Sequence, residues 1–164
     1  MKKMLNLLST KNKKVHTMQW IRTPKEIWDN LSKEFNFTVD ACASDKNHLL
    51  DKYWTIDDDA LKQDWTNEVI YCHPMYDQAI PKYIKKAFES KSLCVFLLPS
   101  STNSRYFHKY LWCNNEHKPK QNVQIRFLPK AVGQFGYRFA NDIGELPKTG
   151  YLRPLMIVII HNTD

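Results

Sequence analysis

Glycine is scarce in this chain: four residues in 164, all between Gly133 and Gly150. A glycine-rich turn that lets backbone amides close on a phosphate therefore has no place before residue 133, which argues against a P-loop or the usual dinucleotide-binding fingerprint. Long apolar runs are missing too. The longest, "LMIVII", is of strand length, against the roughly 20 residues of a membrane helix. The four cysteines, Cys42, Cys72, Cys94 and Cys113, have no short pair spacing, and the histidines show no ligand spacing with them. Neither a disulfide framework nor a metal is expected. Three of the thiols sit inside apolar runs, where they behave as small reduced hydrophobes.

What is present is positive charge. Lys and Arg number 24 against 17 Asp and Glu, a net charge of +7 with a pI near 9.2. This favours a polyanionic partner, although a solvated cationic surface without a partner has the same signature. Residues 1–17 carry five lysines and little periodicity and read as a flexible basic tail. Residues 18–164 are about the size of one domain. The tail has no small-residue cleavage site after its leucines, so a cytoplasmic location is expected.

Within the domain, "TPKEIWDNLSKEF" has helical spacing, with Thr23 expected as N-cap, Pro24 at the first helical position, and Ile27, Trp28, Leu31 and Phe35 on one face. "FTVDACA" reads as a strand. Three further units repeat a buried strand followed by an amphipathic helix: "EVIYC" then "QAIPKYIKKAFES", "SLCVFLLP" then "TNSRYFHKYLW", and "VQIRFLP" leading into the glycine-bearing "KAVGQFGYRF". "LRPLMIVII" is a last strand. Short continuous apolar strands alternating with helices predict an α/β domain with a mostly parallel sheet and helices on both faces. Ligands in such sheets bind at the carboxyl ends of strands. Those ends are Asp40–Ser44, His73–Tyr76 and Pro99–Thr102.

The ordered segments "W..TP.EIWD.L..EF.FTVDACAS..N", "YWT..DDAL..DW", a strand ending in a Pro-and-Tyr turn, and "LLPSST.SRYFH" resemble the phage-type N6-adenine DNA methyltransferases. The similarity runs from about Trp20 to about Leu128. It implies a single Rossmann-like domain that uses S-adenosylmethionine to methylate adenine in double-stranded DNA, encoded by a phage or prophage and acting in a bacterial host. The resemblance assigns the cofactor to Thr23, Pro24, Asp40, Ala41, Cys42 and Ala43, the small side chains letting backbone approach it. An acidic residue for the ribose or adenine is implied as well. Asp57, Asp58, Asp59 and Asp64 compete for that duty, with Asp58 and Asp64 carried as candidates.

In the resembled family the catalytic turn reads Asn or Asp, Pro, Pro, Tyr, and holds the amine of a flipped adenine. The corresponding residues are His73, Pro74, Met75 and Tyr76. A neutral imidazole has one acceptor nitrogen and can take one amine proton, but it loses that ability when protonated. Met75 removes a backbone restraint that proline would supply. Three outcomes follow: a working adenine methyltransferase with an altered site, a silent methyltransferase-like factor that binds DNA or protein, or a different base or RNA as target. Lys85, Lys86, Arg105, Lys118, Lys120, Arg126, Lys130 and Arg138 are the candidate DNA contacts, set against the reading of an edge kept soluble by charge. Little room remains for a separate recognition domain, and a monomer or weak homodimer is expected.

Overall fold

The computed structural model describes residues 21–129, 137–141, 144–148, 151 and 153–162. The expected basic tail and Lys130 lie outside them. Helix α1 spans Lys25–Glu34, and Pro24 caps it without a side-chain hydrogen bond. Thr23 is thus not the N-cap. Its hydroxyl is taken instead by the Tyr71 hydroxyl at 2.7 Å and by His73 at 3.1 Å. The i, i+4 stripe of Ile27, Leu31 and Phe35 is buried as the spacing predicts.

A five-stranded sheet forms the centre, in the order β1-β2-β3-β7-β6. Its strands are β1 (Val39–Asp40), β2 (Val69–Cys72), β3 (Leu93–Pro99), β6 (Val123–Phe127) and β7 (Leu155–His161). The first three pair in parallel, β3 pairs antiparallel with β7, and β7 antiparallel with β6. Four strands therefore point one way and β7 runs against them. Helix α2 (Ile80–Glu89) makes the crossover between β2 and β3.

Strand alternation divides the core in two. Cys94, Phe96 and Leu98 of β3 with Met156, Val158 and Ile160 of β7 pack with Ile80, Ile84 and Ala87 of α2. The intervening Val95, Leu97, Ile157 and Ile159 pack with Ile27, Leu31 and Phe35 at α1. This two-residue period is what a pleated strand imposes.

Two expected elements come out shorter. The strand read over "FTVDACA" is only two residues long, because the chain turns at Ala41-Cys42. The helix expected over "TNSRYFHKYLW" is reduced to a wide π-helical turn, Phe107–Leu111, followed by a small ladder of β4 (Trp112–Cys113) with β5 (Lys118–Pro119). Within the turn only Phe107 and Leu111 are buried. One apolar pair is too short a stripe to sustain further turns.

Outside β1 the segment around Tyr53 runs alongside as a makeshift outer strand. Asp40 N donates to Lys52 O at 3.1 Å, Trp54 N to Asp40 O at 2.9 Å, and Ala43 N to Trp54 O at 3.0 Å. Trp54 and Trp65, both buried, stack with centroids 6.2 Å apart. The Trp65 indole N–H donates to Ala60 O at 2.9 Å. The two tryptophans thereby pin the loop between them to the core.

Candidate active site

Parallel pairing of β1 with β2 sets their carboxyl ends side by side, and a cavity of about 300 Å³ opens there. After β1 come Ala41, Cys42 and Ala43, and after β2 come His73 and Met75. Trp54, Thr55, Ile56, Asp59 and Ala60 of the pinned loop, with Ala79 and Tyr83, complete the wall. The size is at the low end of small-molecule sites, roughly 300–1,000 Å³. The alanines leave room for a ligand, the indole and Ile56 offer apolar surface, and Asp59 brings a carboxylate.

Asp40 stands behind this wall. Its side chain is buried, and it accepts from Leu49 N at 3.1 Å and Cys42 N at 3.4 Å. Burial pushes its carboxyl up to about 6, against the opposing pull of those two amides. It therefore acts here as a fastener that fixes the turn whose next three residues line the cavity. The Ser44–Asn47 turn, closed by paired backbone bonds of 3.0 Å and by the Ser44 hydroxyl, continues the same arrangement.

The second strand end is held by a relay of polar groups. Tyr71 OH meets Thr23 Oγ1, Thr23 Oγ1 lies 3.1 Å from His73 Nδ1, and His73 Nε2 lies 3.1 Å from Tyr76 OH. Both imidazole nitrogens are engaged. Burial pushes the His73 pKa down to about 4, so the ring is neutral at pH 7 and one of its nitrogens is an acceptor. Pro74 is buried, and Met75 O accepts from Asp77 N at 2.9 Å, which tightens the turn. Tyr76 packs among His73, Phe139 and Tyr151, with centroids 5.4, 6.2 and 5.6 Å away. Its phenol is held well above the ordinary range by burial.

The profile of the DNA N-6-adenine-methyltransferase (Dam) family matches residues 9–146. The chain belongs to that family. No curated protein matches the chain in a sequence search. Membership in the Dam family implies methyl transfer to adenine in DNA, and the matched region contains the cavity and both strand ends that form it.

Of the twelve expected cofactor and catalytic residues, the Dam-family chain gathers five on one cavity wall. Ala41, Cys42, Ala43, His73 and Met75 share the cavity. Thr23 and Tyr76 touch it only through their bonds to His73, and Thr23 and Pro24 line a separate, wider cavity along α1 with Trp28, Leu49 and Arg126. Asp58 and Asp64 do not line the cavity. Asp58 accepts from the Thr55 amide at 2.7 Å and its hydroxyl at 2.8 Å, and Asp64 from the Thr66 amide at 2.9 Å; these bonds hold both carboxyls below the ordinary range. Of the four competing aspartates, Asp59 reaches the wall. Its left-handed backbone, φ 51°, turns it there, and no periodicity in "DDD" announces this. Tyr83 and Trp54 are also on the wall without having been singled out for it.

The expected DNA contacts are dispersed. Lys85 pairs with Glu89, Lys118 with Glu116, and Lys120 Nζ donates to Lys109 O at 2.6 Å. Arg126 forks onto Glu34 at 2.5 and 2.6 Å, tying β6 to the end of α1. Arg105 is exposed, Lys86 lies near Asp64, and Arg138 is half-buried. Among the described residues no group of three or more metal-ligating side chains gathers, and no helix is long and apolar enough to cross a membrane.

Proposed function

We propose that this chain methylates the N6 amine of adenine in double-stranded DNA, with S-adenosylmethionine in the β1/β2 cavity and the target base against the His73–Tyr76 turn. The observation that carries the reading is that residues after β1 and residues after β2 line one hollow, which would hold a donor on one side next to a base on the other. Small side chains, an indole and a single carboxylate suit an adenosyl group with its ribose diol, and Asp59 is the residue assigned to that diol. Covering helices on both faces of the sheet fit the same fold, a reading supported by the division of α1 and α2 between the two apolar clusters.

When bound, the cofactor supplies an electrophilic methyl on sulfonium. The protein's part is positioning. A neutral His73 accepts one amine hydrogen and orients the nitrogen lone pair, and the prolyl turn and Tyr76 fix the base plane. To do so, His73 must exchange its bond to Tyr76 or to Thr23, whichever its accepting nitrogen makes, for one to the amine. That same saturation favours a second reading, in which the chain binds DNA or a protein without transferring a methyl group.

Incubation of the chain with methyl-labelled S-adenosylmethionine and phage or bacterial DNA tests both. Label recovered in N6-methyladenine supports the enzyme. Cofactor and DNA binding without label refutes it and leaves the silent binder.

A further inference from the structure

The end of β3 carries features that neither the cofactor cavity nor the base turn uses. Ser100 N donates to Pro154 O at 2.8 Å, which joins the serine turn after β3 to the segment before β7. Between them lies a second cavity of about 340 Å³, lined by Ser100, Ser101, Asn103, Arg153 and Pro154. The polar side chains lining it are two hydroxyls, an amide and a guanidinium, with no carboxylate. The Ser100 hydroxyl is buried and has no hydrogen-bond partner in the protein. A buried hydroxyl without a partner is costly unless a ligand or solvent meets it.

The position of this cavity is telling. Arg153 lies close to the Tyr151 side chain, whose ring is 5.6 Å from that of Tyr76. Tyr106, on the other side, interacts with Ser101 and Ser104 and with Pro99 O at 3.4 Å. A donor-rich pocket therefore sits one aromatic step from the turn assigned to the base. We infer that Ser100, Ser101, Asn103 and Arg153 form a subsite for a phosphodiester of the DNA strand that carries the target adenine. The inference rests on the proposed DNA reading and deepens it: a nucleotide turned out of a duplex brings its own phosphate along, and a guanidinium flanked by hydroxyls is suited to hold it.

Binding of a fluorescent DNA duplex to the full chain, titrated at several salt concentrations, tests this without depending on turnover. Arg153→Gln is expected to weaken binding about tenfold and to reduce the slope of log K against log salt by about 1, the signature of one lost phosphate contact. Ser100→Ala is expected to weaken binding with the slope unchanged and the melting temperature kept, since the hydroxyl holds nothing inside the protein. Wild-type affinity and slope in both variants would overturn the subsite while leaving the methyltransferase reading intact. Equal binding of an RNA duplex, lost equally in the variants, would also overturn it by moving the subsite to RNA. A wild-type chain that binds no DNA overturns the subsite and the reading beneath it. Binding with the expected losses, but no methyl transfer, supports the subsite and refutes only catalysis.

Discussion

Asp40 and His73 titrate in opposite senses, and the consequence can be measured as stability. Asp40 has its pKa raised from 3.8 to about 6 in the fold. Its contribution is fully present below the unfolded value and is lost as pH rises through 6. His73 has its pKa lowered from 6.5 to about 4. Its contribution is present above 6.5 and is lost as pH falls through 4. At about 1.4 kcal/mol per pH unit, each is worth about 3 kcal/mol at most, with His73 the more discounted because it sits half-buried at the cavity wall. The two nearly cancel between pH 4 and 6.5. Substitution separates them. Urea unfolding of the wild type, Asp40→Asn and His73→Asn, followed by tryptophan fluorescence from pH 4 to 7.5, gives two difference curves. Relative to wild type, Asp40→Asn should gain stability as pH rises, and His73→Asn should lose it. A constant offset of about 1–3 kcal/mol is expected in Asp40→Asn, whose amide would face the Leu49 N–H. Lowered carboxyls such as Glu34, Glu68, Asp58 and Asp64 act alike in all three chains and drop out of the differences. Flat difference curves, or curves of the same sign, would refute the assignment of both buried titratable groups.

Three other outcomes are expected. Asp59→Asn should raise the dissociation constant for S-adenosylmethionine about tenfold in calorimetry with little change in melting temperature, since asparagine tolerates the left-handed backbone and the Lys62 pair is exposed. Asp58→Asn should leave the affinity unaltered, and the reverse ranking would shift the ribose contact to Asp58. Arg126→Gln should cost less than about 1 kcal/mol in urea unfolding, as befits a surface pair even when forked, and should leave the salt slope of DNA binding near wild type. A slope reduced by about 1 would show that Arg126 meets phosphate after all.

The architecture was legible where periodicity is strong. The stripes of α1 and α2 and the continuous apolar strands β2, β3 and β7 occupy the segments read for them. Direction was less legible, because nothing in "LMIVII" tells that β7 runs against its neighbours. The hollow between strand ends follows from topology once β1 and β2 pair in parallel, so Ala41–Ala43, His73 and Met75 could be named in advance. Thr23 was named with them, but its partners, Tyr71 and His73, are 48 and 50 residues away, beyond any local pattern. Asp40 was assigned to the cofactor through the resemblance, whereas the contact that holds its buried carboxyl comes from the Leu49 amide, supplied by the path of a loop. Choosing among the aspartates depended on one backbone angle, and the pairing of the lysines and Arg126 depended on which carboxylates fold close to them.

The makeshift strand around Tyr53 reaches beyond the site it supports. By bonding to Asp40 and Ala43 it occupies the rim of the sheet at β1, where an incoming chain could otherwise have added itself edge to edge. The opposite rim, at β6, ends in an exposed Phe127. A strand arriving at the β1 rim would first have to displace the Lys52–Trp54 backbone from Asp40 and Ala43, and with it the loop that walls the cavity.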